Sequence, residues 1–184
     1  LSIGSVTTAI SSVDPNASQE KNIGDTGVKF TGVRFTAGSA EDLKLYSIRW
    51  RQTGSVGSGD LANVVTVVNG TSYPTMVSSD GKFYTATFPG GILIQKGFSA
   101  DVYVQGDIVG SNASGRYVEF DIDKTSDVYL VGQLYGYGVA PAVGSDSVST
   151  AADHDSNITA SNPWFQGSDF DISGASATTV AKAT

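Results

Sequence analysis

The chain of 184 residues has no cysteine, one histidine and one methionine. Without cysteine there is no disulfide framework, no thiolate metal site and no thiol nucleophile. The one histidine, His154 in "TAADHDSNIT", would have to serve any Ser-His-Asp triad. No G-x-S-x-G elbow exists to set a serine against it, and a histidine between two aspartates in a polar stretch reads as solvated. Phosphate cradles of the G-x-x-x-x-G-K-[ST] and strand-linked G-x-G-x-x-G types are missing too. No apolar run approaches the ~18 residues of a membrane-spanning helix. Charge is scarce: 16% of residues are charged, against about 25% in an ordinary soluble domain. Lys plus Arg is 11 and Asp plus Glu is 18, a net −7 with no basic stripe, which argues against nucleic-acid binding. Serine, threonine and 22 glycines fill the space, as in exported β proteins. The start at Leu1 reads as that of a processed or excised segment.

Helical periodicity is nearly absent. "SAEDL", Ser39 to Leu43, is the one helical turn the pattern allows, with Ser39 as its cap. The rest reads as short strands between Gly, Asn, Asp and Ser punctuation. In "RYVEFDID", Val118, Phe120 and Ile122 alternate with Tyr117, Glu119, Asp121 and Asp123, so the acids are expected on a wet face. "SADVYVQGDI" turns Val102 and Val104 inward. "KFYTATF" places Tyr84, Ala86 and Phe88 on one face, after the hairpin signal Asp80-Gly81. "GVKFTGVRFT" switches parity at Gly32, which predicts a β-bulge. In "LYSIRWRQ", Tyr46, Ile48 and Trp50 share one parity and Ser47, Arg49 and Arg51 the other. That leaves Arg49 and Arg51 as an exposed basic pair, with Glu41 and Asp42 in the turn before the strand. "LANVVTVV" and "DVYLVGQL" are apolar on both faces and read as central strands. Further strands are expected in 2–10, 91–95 and 164–172, and a surface loop over 141–163.

The fold class is therefore all-β: an antiparallel Ig-like β-sandwich of ten or more short strands with at most one helical turn, in a single domain over residues 1–184. Its end segments, 1–10 and 173–184, look extended, polar and weakly tied to a core. Each could pair with a neighbouring subunit's sheet edge or continue into an adjacent repeat.

Chemistry has few candidates. Glu119 and Asp121, two apart on one strand, lie about 7 Å apart, within the range that inverting glycosidases use. Their outward face implies solvation instead. Asp153, Asp155 and Asn157 follow the alternation of a calcium loop, but position six is Ile158 and position twelve is Trp164. Calcium there is the one metal the sequence suggests; no other cofactor is called for. Tyr135 and Tyr137 in "LYGYGVAP", with Trp164, form a candidate stacking platform for a sugar. Asn16, Asn69, Asn112 and Asn157 open N-x-[ST] sequons in turns, as glycan acceptors would.

The stretches "GVKFTGVRFTAGSAEDLKLYSIRW", "DLANVVTVVNGTSY", "GGILIQKGFSADVYVQGDIVG" and "GRYVEFDID" resemble an Ig-like β-sandwich repeat of prokaryotic surface-layer and cell-surface filament proteins, over about 24–140. The resemblance implies an extracellular structural role without an active site, filled by copies arranged in tandem or head to tail. The expected partners are copies of the chain itself and possible glycans, with no nucleic acid and no membrane insertion. The alternative is a carbohydrate-binding or adhesin module that uses the exposed aromatics.

Overall fold

The structure, a computed structural model, describes residues 2–143 and 163–175. Its strands are β1 (Val6–Ile10), β2 (Gln19–Ile23), β3 (Val28–Ala37), β4 (Leu43–Gln52), β5 (Leu61–Val68), β6 (Thr71–Val77) and β7 (Phe83–Ile94). They continue as β8 (Ser99–Ile108), β9 (Tyr117–Val118), β10 (Phe120–Asp121), β11 (Val128–Gly132), β12 (Ala142–Val143) and β13 (Phe170–Ala175). The all-β reading holds. The helical turns are 3₁₀ turns at Ser58–Asp60 and Thr125–Asp127; Ser39–Leu43 is a bend leading into β4.

Ten strands form one long sheet in the order β10-β4-β7-β6-β5-β8-β3-β1-β12, with β11 also on β4. Strand β6 makes the corner: Thr71–Pro74 pair with β5, and Thr75–Val77 pair with β7. The sheet thus folds into two layers around one core. Val33, Phe35, Ile48, Trp50, Ala86, Val102 and Val104 are among its fully buried members. A hydrogen bond ties the layers together where Trp50 Nε1 on β4 donates to Thr66 Oγ1 on β5 at 3.0 Å. A small second sheet, β2-β13-β9, closes one end.

Several local expectations are met. The register of β3 against β8 shifts between Lys29 and Gly32. There the Gly32 N–H donates to Asp14 Oδ2 at 2.9 Å, and a methyl on Gly32 would press on Val13 and Ser11. Tyr84, Ala86 and Phe88 are buried together. Gly81 takes φ +72 in the β6–β7 turn, a conformation glycine adopts without strain.

Other expectations fail for identifiable reasons. A second bulge lies between Leu45 and Ser47 of β4, so Leu43 and Leu45 share the core with Ile48 and Trp50 while Tyr46 is left half-buried. Tyr46 stacks on Tyr129 of β11 at 5.6 Å between centroids. Arg49 and Arg51 are not a free basic pair. Arg49 Nε meets Asp127 Oδ1 at 3.0 Å and Arg51 Nη1 meets Asp123 Oδ2 at 3.0 Å, and the Arg49 guanidinium lies 4.2 Å over the Phe83 ring. Among the described residues β4 is the one strand that pairs with β11, which is a margin, not a central strand; its outer side is covered by the bridge Val131↔Gly138 and where Val139 N–H donates to Leu130 O at 2.9 Å.

The amino-terminal segment is also better anchored than its composition suggests. Strand β1 pairs antiparallel with β3 from Val6↔Ala37 to Ile10↔Val33, and parallel with β12 at Thr7↔Ala142. Ala175 is likewise paired within the chain, with Ile23 of β2 after a register shift at 173–174; residues 176–184 lie outside the described residues.

The Trp50–Thr66 bond is buried, so leaving either partner alone is costly. Trp50→Phe and Thr66→Val are each expected to destabilise by about 1–3 kcal/mol, and the double variant by less than the sum. Urea denaturation of the four proteins measures this cycle; strict additivity would show that the bond contributes nothing.

Candidate functional site

Two sites stand out, one at each end of the sandwich. The first is built on residues 117–123. Strand β10 runs along β4 (Phe120↔Gln52, Asp121↔Arg51) and β9 runs along β13 (Phe170↔Val118, Asp171↔Tyr117). The peptide thus passes from one sheet to the other, and both of its faces are covered. Val118, Phe120 and Ile122 face the core as expected. On the other parity, Glu119 is only 7% exposed and Asp121 only 2%, which corrects the expectation of a solvated acidic face. The cover is the segment 163–170, distant in sequence, whose Trp164, Phe165 and Phe170 are themselves buried.

Glu119 and Asp121 are satisfied from this cover and from the β4 end. Gln166 Nε2 donates to Glu119 Oε1 at 3.1 Å. Gly167 N–H donates to Asp121 Oδ1 at 2.8 Å and Thr53 Oγ1 to Asp121 Oδ2 at 2.9 Å. Burial pushes the Glu119 carboxyl up to about 9, reinforced by hydrogen bonding to Asp169 and by the charge of Asp121. Asp121 rises to about 6, again chiefly through burial, held back by the Gly167 N–H, Glu119 and Thr53. Glu119 therefore keeps a proton at neutral pH and shares it with its carboxylate neighbours. Both carboxyls have hydrogen-bond partners inside the protein, and the cover leaves the pair embedded in packing, an arrangement suited to holding a segment down.

The second site is a crown of loops at the opposite end. Glu41 is buried without a basic partner and accepts three backbone N–H groups: Gly4 at 2.6 Å, Leu134 at 2.7 Å and Tyr135 at 3.2 Å. Burial raises its pKa, but the N–H groups of Leu134, Gly4 and Tyr135 outweigh that and hold it below the ordinary carboxylate value. Asp42 continues the bolt, accepting Lys96 N–H at 2.8 Å through Oδ1 and Gln133 N–H at 2.9 Å through its carbonyl. Four chain segments are thereby fastened side by side around a shallow cleft of about 270 Å³ lined by Ala40, Glu41, Asp42, Lys96, Gln133 and Leu134. They carry Ile3, Phe98, Leu134, Tyr135 and Tyr137, all large and exposed, with Leu134 at 66% and Phe98 at 64%.

The aromatic trio expected to form a platform is divided. Tyr135 and Tyr137 stand exposed on the crown, whereas Trp164 is 2% exposed, buried as part of the cover segment at the other end. Asn16, Asn69 and Asn112 are exposed, with Asn16 and Asn69 at φ +49 and +50 in turns. Asp153, His154, Asp155 and Asn157 lie outside the described residues. Among the described residues no group of acids or histidine is arranged to hold a metal ion, and no helix is long and apolar enough to cross a membrane. Glu41 could not be singled out from sequence, because its donors come from Gly4 and from residues beyond 130. The cover segment did carry a signal: "PWFQGSDF" holds three aromatics in eight residues, too many for a solvated loop.

No protein family matches the chain, and no curated protein matches it. Among solved structures it is similar to CaCohA2 from Clostridium acetobutylicum, at 13% identity over 93% of this chain and 91% of that one, with a TM-score of 0.37. It is also similar to a cohesin module of a family 33 glycoside hydrolase from Clostridium perfringens, at 9% identity over 95% and 99%, with a TM-score of 0.33. A third likeness is to the full-length major pilin RrgB from Streptococcus pneumoniae, at 10% identity over 66% of this chain and 23% of the pilin, with a TM-score of 0.30. A cohesin module and a pilin are thus among the structural neighbours, at scores too low to say what this chain does.

The acid pair dictates a pH dependence. Glu119 and Asp121 release their protons near 4.5 and 3.8 when unfolded, but only near 9 and 6 when folded. Between those limits the folded state binds more protons, so stability falls as pH rises. Asp14 and Asp127, raised by burial, act in the same direction. The melting temperature is expected to be higher at pH 5 than at pH 8, and Glu119→Gln, which needs no proton, should flatten the slope. A profile that rises with pH would contradict the buried pair. At the crown, Glu41→Ala should accelerate hydrogen exchange at the amides of Gly4, Leu134 and Tyr135 together; unchanged protection there would contradict the bolt.

Proposed function

We propose that the chain is a structural subunit or repeat of an extracellular filament or surface layer, working by contact with copies of itself and not by catalysis. One observation carries this reading. The exposed apolar crown lies beside Gly4, and the last described residues, paired on β2, lie at the opposite end. Gly4 is bound to Glu41 beside the turn into β4. At the far end, Ala175 pairs with Ile23 and the next residue, Gly24, donates to Ile108 O at 2.7 Å. Strand β8 connects the two ends, starting at Ser99 opposite Thr36 and finishing at Ile108, which sets them about 30 Å apart at ~3.3 Å per residue. A unit with an apolar crown at one end and the paired segment 170–175 at the other presents unlike surfaces that can meet head to tail. A crown of Leu, Phe and Tyr gives the contact an apolar centre of the kind protein interfaces use.

The extracellular setting rests on the hydroxyl- and glycine-rich, charge-poor composition, and glycan attachment at Asn16, Asn69 and Asn112 belongs to the same reading. The absence of catalysis is supported by the state of the best acid pair, which is spent on holding the cover segment. A second reading, a carbohydrate-binding or adhesin module, is favoured by Tyr135 and Tyr137 standing exposed two residues apart on one loop. It would have to manage without Trp164. Glycan-array binding that disappears in Tyr135→Ala would select it over self-association.

Light scattering against concentration tests the main reading. The chain should self-associate, and Leu134→Asp or Tyr137→Asp should each weaken association at least tenfold, about 1.4 kcal/mol, with little change in melting temperature. A chain that stays monomeric at millimolar concentration would overturn the proposal.

A further inference from the structure

Strand β2 has a single sheet partner among the described residues, β13, which lies parallel to it; β9 likewise pairs only with β13. Take away residues 163–175 and the walls that remain, residues 19–23, 30–31 and 117–123, form a slot shaped for one strand. The plug fits the slot at several points. The Phe170 ring meets the Phe30 ring edge-on at 5.0 Å. Phe165 N–H donates to Ile122 O at 2.9 Å, and Ile122 N–H to Phe165 O at 2.8 Å. Gly167 sits so close to the Phe120 carbonyl and the Thr31 hydroxyl that a methyl there would collide with both, while its N–H and the Gln166 side chain engage Asp121 and Glu119.

The walls of this slot all come from the first 123 residues, and the plug comes from beyond residue 162. They are joined through residues 144–162, which fully extended would span up to about 60 Å. A plug supplied by another copy would make the same contacts as the chain's own, so only the closure of the connecting chain differs between the two arrangements. For a flexible connection of about this length, the effective concentration of one end at the other is on the order of millimolar. The chain's own plug wins in dilute solution, and a neighbour's competes once subunits are packed as densely as in a filament or lattice.

We propose that Pro163–Ala175 is an exchangeable strand which fills the slot between β2 and β9 of a second copy of this chain, linking subunits by strand exchange. This rests on the reading of the chain as a self-assembling subunit and names the element that would join its copies. Exchange of identical elements is a low-cost route to association, because the interface already exists within the monomer.

The chain contains no cysteine, which makes a disulfide test clean. Asp171 lies opposite Tyr117 on one side and Glu20 on the other. Tyr117→Cys and Asp171→Cys would be made as separate, differently tagged proteins, mixed in equal amounts, concentrated to the millimolar range and oxidised. A bond between the two variants then reports a plug lodged in another copy's slot. The double variant, which should close within one chain when dilute, shows that the geometry permits the bond; Glu20→Cys with Asp171→Cys, both at exposed positions, serves if the Tyr117 variant folds poorly. The expected result is mixed disulfide above the half that random pairing gives, rising with concentration. Mixed disulfide at or below that half, with the double variant still closing within its own chain, overturns the exchange. Light scattering on the same samples separates the two ideas. Assembly without mixed disulfide removes the strand exchange alone, and mixed disulfide confined to closed dimers supports the exchange and removes the filament.

Discussion

The lower end of this molecule depends on one constraint: residues 117–123 must be covered on both faces. A strand that alternates apolar and acidic residues ordinarily buries one side and wets the other. Here the strand crosses between two sheets, and the segment 163–170 lies over its acidic side. Burying carboxyls without countercharge is costly, and the structure meets the cost by leaving a proton on Glu119 and aiming Gln166, Gly167 and Thr53 at the pair. The same segment fills the aromatic gap between Phe30 and Phe120 with Phe170 and gives β2 its only described partner. Cover, hydrogen bonding and core are one unit, so loosening any of them loosens the rest.

Glu41 and Glu119 show how local donors decide what a buried carboxyl becomes. Glu41 meets three backbone N–H groups and stays charged, so it fastens loops together at any pH above the acid range. Glu119 meets one side-chain amide and two other acids and keeps its proton. The crown bolt is therefore insensitive to pH near neutrality, and the cover is not. The two ends of the sandwich differ in chemistry as well as position.

Much of this was legible in the residues. The strand class, the bulge at Gly32, the Asp80-Gly81 turn and the inward faces of β7 and β8 follow from alternation and turn chemistry, which are local. What escaped was set by distant partners. Tyr46 leaves the core because β4 bulges against β7, which no pattern within β4 reveals. Glu119 and Asp121 read as wet because their cover lies more than 40 residues away in sequence. Arg49 and Arg51 read as free because Asp127 and Asp123 lie on another strand's approach. Trp164 read as a surface aromatic although its neighbours Phe165 and Phe170 mark a segment that has to be buried. The crown was half legible: Tyr135 and Tyr137 stood out, but not the backbone amides that Glu41 gathers beneath them.

The central claim is that this sandwich is a building unit that meets copies of itself end to end. Electron microscopy of the concentrated protein tests that claim most directly. Filaments or a lattice with a repeat near the length of one sandwich, joined crown to opposite end, are the predicted result. Dispersed single particles with no ordered contact between them would contradict it.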